Sequence, residues 1–197
     1  FFVQKEQPPI LRVVTKEPCE LAVATRAGTL FAASGPHLLE VDPGTKKVTP
    51  LAEVPEAVAI RVLKEDRAGR LWLGTSRGLY VYDRDARRLA PAPAEWHQPN
   101  RCIQQILETR DGRLWLGTRT GILRLGESPS DAARQYDQAD GMESTECTGG
   151  FAPAGLALPD GRLLFPTLNG IAGIDPERLS HATSPAVRPV ITESPAT

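Results

Sequence analysis

The sequence predicts an all-β fold made of repeated antiparallel sheets, and three observations support this prediction. First, residues 70–75 and 113–118 are identical, and both read RLWLGT. Second, short apolar runs alternate with tight turns that contain glycine, which is the pattern of consecutive hairpin-connected strands. Third, the 197 residues include 17 Gly and 18 Pro but a single Met, a composition that disfavours a helical bundle.

The repeat extends beyond the two identical copies to four units. Weaker copies lie at residues 29–34, which read TLFAAS, and at residues 162–167, which read RLLFPT. A turn glycine precedes each copy, and these glycines are 41, 43 and 49 residues apart, within or just beyond the length of a four-stranded propeller blade. The four glycines are Gly28, Gly69, Gly112 and Gly161.

The second unit shows how one repeat forms a sheet. Residues 58–65 and 70–75 are strand-like runs joined by a turn at Gly69, where glycine can take the left-handed conformation. A third run follows at residues 79–82, and a weaker fourth begins at Arg88. The third unit repeats the same order, so each unit is predicted to be an up-and-down sheet of four strands.

A four-stranded sheet cannot bury both of its faces alone, so the units are predicted to stack around an axis as blades of a β-propeller. Trp72 and Trp115 lie inside strands between leucines, and we expect them to fill the space between neighbouring blades. An aromatic platform for a ligand is the alternative role. Gly74 and Gly117 close the same strands, where a side chain would obstruct the neighbouring blade.

The ends of the chain fall outside the repeat. Residues 1–17 contain strand-like runs and are predicted to be the remnant of a preceding blade or strand, while the proline-containing residues 183–197 look like an exit linker and strand. We therefore expect about four blades that belong to a larger ring, with a closed ring of four blades as the alternative. The predicted blades are residues 18–57, 58–99, 100–142 and 143–182.

The charge balance gives no reason to expect binding to nucleic acid or to a membrane surface. Lys and Arg number 23 and Asp and Glu number 24, for a net charge of −1. The basic residues Arg84, Arg87 and Arg88 surround Asp85 and are predicted to form a solvated turn. No apolar run approaches the roughly 18 residues that span a bilayer, so we expect membrane contact only through segments outside this sequence.

Neither cofactor nor metal binding is predicted, and the chain is not expected to be an enzyme by itself. Cys19, Cys102 and Cys147 are odd in number and lack C-x-x-C spacing, which argues against a disulfide framework and a zinc site. Structural thiols are expected, and a single disulfide stays open. Phosphate-binding glycine loops and Cys/His pairs at motif spacing are also missing from the sequence.

The repeat resembles the two-component regulator propeller repeat. Residues 66–83 contain an acidic residue, a turn glycine, the LWLGT strand, a Gly-Leu pair and a Tyr-Asp ending, which is almost the complete pattern. Residues 111–125 fit it as well, except that Leu125-Gly126 replaces the Tyr-Asp ending. The first unit departs further, because Phe31 stands in the place of the tryptophan.

The order of motifs near the end of the chain extends this resemblance. Residues 140–176 resemble the last blade of such propellers, and residues 188–193 resemble the first strand of the small β-sandwich that follows it in the family. In this family the region is extracytoplasmic, precedes a transmembrane helix, and controls a histidine kinase, a hybrid kinase or a diguanylate cyclase. The resemblance therefore implies the periplasmic or extracytoplasmic sensor part of a membrane-anchored receptor.

Candidate ligand-binding residues are the polar residues on loops that share one face of the predicted propeller. Arg77 and Arg119 occupy matching places after the Gly-Thr strand, which suits an anionic sugar or another carboxylate, although solvated loop charges are the alternative. Trp96 and His97 suit either stacking on a sugar ring or covering a blade edge. The full set is His37, Arg77, Trp96, His97, Asn100, Arg101, Arg119, Glu143, Glu146 and Asn169.

Ligand sensing is the function that these features predict, with a small molecule or an oligosaccharide as ligand and a cytoplasmic output domain as the recipient of the signal. Two other classes stay open. A polysaccharide lyase or hydrolase would show His, Arg, Tyr or carboxylate groups converging on the channel, and a protein-interaction scaffold would show a flat mouth. Because a ring that lacks blades exposes apolar faces, we also expect self-association through those faces.

Overall fold

The chain forms four antiparallel sheets in sequence order, and the computed structural model describes residues 18–56, 59–150 and 154–181. The first three sheets have four strands each, in up-and-down order, and the fourth has three strands within these ranges. The predicted all-β architecture of propeller blades is therefore confirmed. The predicted segments at residues 1–17 and 183–197 lie outside the described residues.

The strands are numbered in chain order, and each sheet is one blade. Blade 1 contains β1 (Leu21–Ala24), β2 (Leu30–Ser34), β3 (His37–Val41) and β4 (Val48–Glu53). Blade 2 contains β5 (Ile60–Glu65), β6 (Leu71–Thr75), β7 (Gly78–Asp83) and β8 (Arg88–Pro91). Blade 3 contains β9 (Ile103–Glu108), β10 (Leu114–Thr118), β11 (Gly121–Arg124) and β12 (Arg134–Tyr136). Blade 4 contains β13 (Leu156–Ala157), β14 (Leu163–Thr167) and β15 (Gly170–Ile174).

Helical structure is short in the described part of the chain. Helix α1 (Ala94–His97) lies on the connection between blades 2 and 3, and helix α2 (Pro176–His181) follows blade 4. A single 3-10 turn, Gln138–Asp140, follows β12. None of the helices described is long and apolar enough to cross a membrane.

The first strand of each blade lies nearest the axis of the stack. Strand β1 contacts β5, β5 contacts β9, and β9 contacts β13, so these four strands follow one another from blade to blade. Blade 4 departs from the predicted four-stranded form, because helix α2 and not a fourth strand follows β15 in the described residues. Its inner edge is also reduced. Its β13 has only two residues, and Cys147 adds an isolated bridge to Thr167 further along the same edge of β14.

The apolar core lies between adjacent blades. Strands β6 and β10 are buried along their whole length, because both faces of their sheets are covered. Trp72 is 2% exposed and packs in the cluster that joins blades 2 and 3, together with Ile103. Trp115 is 1% exposed and packs with Phe165 in the cluster that joins blades 3 and 4.

Glycine permits the close approach of neighbouring blades at Gly74. A Cβ atom at this position would lie 2.7 Å from Cγ2 of Ile103 on β9, and 2.5 Å from Cγ1 of Val62 on β5. At Gly117 the corresponding Cβ atom would lie 3.2 Å from the Cβ atom of Cys147 in blade 4. Both glycines therefore occupy places where the next blade packs directly against the strand.

A series of hydrogen bonds joins the blades at the end where the first two strands of each blade meet. Arg26 of blade 1 donates its backbone N–H to Glu65 Oε2 at 2.8 Å and its Nη1 to the carbonyl of Arg67 at 3.0 Å. Arg67 in turn donates Nη1 to the carbonyl of Arg110 in blade 3, and Arg110 donates to that of Pro159 in blade 4. The three arginines each stand two residues before a turn glycine, and we call this series the arginine ladder.

A buried carboxylate fixes the first turn of blade 2. Asp66 is 1% exposed and accepts hydrogen bonds from the backbone N–H of Arg70 at 2.9 Å, from Arg70 Nε at 2.6 Å and from Trp72 Nε1 at 2.7 Å. Burial alone would raise the pKa of Asp66, but the hydrogen bonds from Trp72 and Arg70 together outweigh it, so the pKa lies below its ordinary value.

We expect Gly74→Ala to destabilise the fold by about 1–3 kcal/mol, because the added methyl group overpacks the contact with blade 3. Chemical unfolding followed by circular dichroism measures this difference. Gly44→Ala is the matched control, since Gly44 lies on an exposed turn and its Cβ atom would approach only the side chain of Asp42. Equal losses in the two variants would contradict the packing explanation.

We expect Asp66→Ala to lower the free energy of unfolding by about 1–3 kcal/mol near neutral pH, because the buried indole N–H of Trp72 loses its acceptor. The folded-state pKa of Asp66 is depressed, so its stabilisation is complete above the unfolded-state pKa of about 3.9 and is lost as the pH falls through the folded value. The stability difference between wild type and variant should therefore narrow in acid. Asp85→Ala, at an exposed turn, should show neither effect.

Candidate functional site

The sequence-predicted site residues all lie at one end of the blades. In an up-and-down sheet, the turns between the second and third strands and the connections between blades share an end, opposite to the arginine ladder. His37, Arg77, Arg119 and Asn169 lie at the turns between second and third strands. The other candidates lie on the connections after blades 2 and 3. We call this end the connection end.

Both repeated arginines form exposed ion pairs with glutamates of the connections. Arg77 Nη1 lies 3.2 Å from Glu56 Oε2, and Arg119 Nε lies 3.7 Å from Glu146 Oε1. The arginine side chains are 59% and 60% exposed. Exposed ion pairs contribute at most about 1 kcal/mol to stability. Either guanidinium can therefore exchange its glutamate for another carboxylate at a small cost in free energy.

Trp96 and His97 hold helix α1 against the blades. Trp96 is 6% exposed, its ring centroid lies 6.2 Å from that of Trp72, and its Nε1 donates to the carbonyl of Asp131 at 3.2 Å. His97 Nδ1 lies 2.6 Å from the carbonyl oxygen of Leu79. The buried ring of Trp96 offers no open face for stacking on a sugar, so of its two suggested roles the geometry fits the cover over the blade edge.

The remaining candidates are spread over the connection end and do not converge. His37 Nδ1 lies 4.0 Å from Glu53 Oε2, and both side chains are more than half exposed. Arg101 Nη1 donates to Thr120 Oγ1 at 3.1 Å. Asn100, Glu143 and Asn169 are exposed.

A row of polar side chains on the innermost strands was missed by the sequence reasoning. Arg61 on β5 donates its Nε to Gln104 Oε1 on β9 at 3.1 Å, and Gln104 is only 5% exposed. Gln105 is 1% exposed and donates its Nε2 to the carbonyls of Thr148 and Pro166 in blade 4. Its Oε1 has no hydrogen-bond partner among the described residues. We call Arg61, Gln104 and Gln105 the axial polar row.

The axial polar row lies near the connection end, because β5 and β9 begin there. A glycine pair brings blade 4 close to it: a Cβ atom at Gly150 would lie 3.3 Å from Arg61 Nη2, and one at Gly149 would lie 2.4 Å from the carbonyl oxygen of Gln104. The available sequence signal was the interruption of an apolar strand by polar residues, as in Ile60-Arg61-Val62. Polar residues inside a buried strand are expected to face a partner or a channel.

The described ranges give evidence on three features that are associated with catalysis: a metal cluster, a nucleophile elbow and a reactive thiol. No group of three or more His, Cys, Asp or Glu side chains there is arranged to hold a metal ion. Residues 74–78 read Gly-Thr-Ser-Arg-Gly, the spacing of a nucleophile elbow, but they form the β6–β7 hairpin and not a strand-to-helix turn. Burial raises the pKa of the Cys147 thiol to about 12, which leaves it protonated near neutral pH, and no disulfide joins the three cysteines.

Two segments of the chain match a known repeat family. Residues 56–77 and 97–120 match the two component regulator propeller, and each contains one copy of the RLWLGT strand. The resemblance expected from the sequence is confirmed: the chain contains two-component regulator propeller repeats. No curated protein matches the sequence.

The fold is similar to those of solved β-propellers. The extracellular domain of a hybrid two component system from B. thetaiotaomicron has a TM-score of 0.65 and 16% identity, over 77% of this chain and 20% of its own. A streptogramin B lyase has a TM-score of 0.60 and 16% identity, and the match covers 79% of this chain and 51% of the lyase chain. YCF48 bound to the D1 peptide has a TM-score of 0.58 and 15% identity, and the match covers 81% of this chain and 52% of the YCF48 chain. The chain thus spans between a fifth and about half of these proteins, and at such identities the likeness establishes the fold alone.

Proposed function

We propose that this chain is part of a ligand-sensing propeller, belonging to the extracytoplasmic region of a two-component-type receptor. The observation that carries the proposal is the axial polar row, which places a guanidinium and two buried amides on rigid strands close to the connection end. The two-component regulator propeller repeats and the likeness to an extracellular sensor domain support the same class.

The chemistry of this end suits a hydroxylated or anionic sugar. Arg61 supplies charge-assisted donors, and the Gln104 amide supplies both a donor and an acceptor, which are the groups that sugar hydroxyls and carboxylates require. Arg77 and Arg119 add exposed cations whose glutamate partners are exchangeable. Gln105, the next residue on β9, faces the opposite side of the strand and donates to carbonyls of blade 4, so β9 connects the Arg61–Gln104 pair to that blade.

The proposed output is a cytoplasmic domain that lies outside this sequence, and the proposed role of the chain is binding and not catalysis. Arginine and glutamine side chains bind ligands but do not exchange protons near neutral pH, and these are the groups that the inner strands bring together. This favours a sensor over a polysaccharide lyase or hydrolase. A scaffold for a protein partner is the other class that the following experiment separates.

We expect a member of a panel of neutral oligosaccharides and uronic acids to raise the melting temperature of the chain. A ligand at about 100 times its Kd stabilises the native state by about 2.7 kcal/mol, which corresponds to roughly 5–10 °C for a protein of this size. Arg61→Met should abolish the shift. Arg88→Met, which removes an exposed arginine from the outer strand β8, should retain it.

The outcomes of this screen separate the three classes. A shift that survives Arg61→Met contradicts the axial polar row as the binding site. Cleavage or elimination products from a polysaccharide would assign the chain to the lyase or hydrolase class. A panel without any hit, together with a shift caused by a peptide, would favour the scaffold.

We also propose that copies of the chain associate through the outer face of blade 4. Leu156 and Ile171 lie on this face together with Leu164 and Pro166. Leu156 is 52% exposed and Ile171 is 47% exposed. The opposite face of the same sheet packs on blade 3 through Phe165. A contiguous patch of exposed apolar side chains is typical of a surface that binds another protein.

Light scattering should therefore give a mass above that of the monomer, which falls to the monomer mass in the double variant Leu156→Lys, Ile171→Lys. Charged side chains on the apolar face make its burial against another copy unfavourable. Ala86→Lys, at an exposed turn of blade 2, should leave the mass of the wild type unchanged. A monomeric wild type at high concentration would contradict the proposal.

A further inference from the structure

Blades 2 and 3 share the RLWLGT strand, so each position of blade 2 can be compared with the position 43 residues later in blade 3. In blade 2, Asp66 accepts the indole N–H of Trp72 and the Nε of Arg70. The arginine and the tryptophan have exact counterparts in blade 3. The carboxylate does not, because Thr109 stands in the place of Asp66.

This replacement leaves the indole N–H of Trp115 without an acceptor from the described residues. The side chain is 1% exposed, and its Nε1 atom is buried and has no hydrogen-bond partner there. The hydroxyl of Thr109 donates instead to Asp111 and lies 3.0 Å from the carbonyl oxygen of Arg113. Blade 3 thus keeps the donor of blade 2 but not the acceptor.

Trp115 also lines a pocket of about 200 Å³ between blades 3 and 4. A water molecule occupies about 30 Å³ in the liquid, so the pocket is large enough for a small organic acid. Three arginines contribute to its walls, together with two carboxylates. These five residues are Arg110, Arg113, Arg124, Asp111 and Glu177.

Arg124 changes the charge beside the indole relative to blade 2. It stands directly opposite Trp115 in the β10–β11 pair, whereas Val81 stands opposite Trp72 in the β6–β7 pair. Arg124 forms no ion pair with the residues that the structure describes. At this place blade 3 has therefore lost a carboxylate and gained a guanidinium.

The other charges of the pocket are partly engaged. Arg113 Nη2 lies 2.5 Å from Glu127 Oε1, and its Nε lies 3.8 Å from Asp111 Oδ2. Glu127 is 76% exposed, so this pair lies at the surface and can open at little cost. Opening it frees Arg113 for a ligand in the pocket, whose walls include both Arg113 and Trp115.

We propose that this pocket binds the carboxylate of a small ligand, which accepts the Trp115 indole N–H as Asp66 accepts that of Trp72 and pairs with Arg113 and Arg124. Charge-assisted hydrogen bonds from arginine to a carboxylate are roughly twice as strong as hydrogen bonds between neutral groups. The pocket lies at the end of the arginine ladder, opposite to the connection end. It is therefore a second site, separate from the axial polar row.

Nuclear magnetic resonance of the indole N–H groups tests the proposal on the full 197-residue chain. In a titration with acetate, and separately with glucuronate, the assigned Trp115 signal should shift and saturate, while the signals of Trp72 and Trp96 stay in place. Thr109→Asp supplies the carboxylate from the chain itself, and Arg124→Met removes the added cation. Each should raise the apparent Kd at least tenfold, and Arg88→Met should leave it unchanged.

A Trp115 signal that does not respond, or that responds equally in wild type and in both pocket variants, would overturn the proposal. An equal response to sulfate would also overturn it, because it would indicate general attraction of anions. If Thr109→Asp does not fold, Arg124→Met decides the matter alone. The response should persist in Arg61→Met, so failure of the axial polar row as a site and failure of this pocket are distinguishable.

Discussion

The packing of each blade against the next is the interaction on which the rest of the structure depends. A single sheet of four short strands has two faces and no core of its own, so burial must come from its neighbours. The apolar clusters lie between the sheets. Gly74 lets adjacent blades approach so closely that a Cβ atom at this position would lie 2.7 Å from Cγ2 of Ile103. The arginine ladder adds directional hydrogen bonds across the same junctions.

This packing also determines which polar groups are held rigidly and which are not. Arg61 and Gln104 lie on inner strands whose positions are set by the apolar contacts around them, so their mutual geometry is largely preformed. Arg77 and Arg119 lie on turns, and their exposed glutamate partners restrain them only weakly. A rigid inner group beside adjustable outer charges is an arrangement in which strands supply precision and loops adapt to the ligand.

The sequence predicted the blades well because their determinants are local. The RLWLGT strand, the turn at Gly69 and the hairpin that follows lie within one short segment, and the structure forms them as expected. The axial polar row was missed because Arg61 and Gln104 are 43 residues apart and meet only when two blades stack. The burial of Trp96 follows for the same reason from packing between blades 2 and 3, which no local pattern records.

The comparison of blades 2 and 3 shows why identical strands can carry different chemistry. Burial of a tryptophan removes 150–250 Å² from water, which at about 25 cal/mol per Å² contributes roughly 4–6 kcal/mol, whereas an unsatisfied buried N–H costs about 1–3 kcal/mol. Packing therefore outweighs the lost acceptor, and blade 3 folds with Thr109 where blade 2 has Asp66. The residues around the tryptophan are then free to differ between blades. One such difference is the residue opposite the tryptophan, which is Val81 in blade 2 and Arg124 in blade 3. Since blade 2 has no charge at this position, the blade does not need one for its own stability.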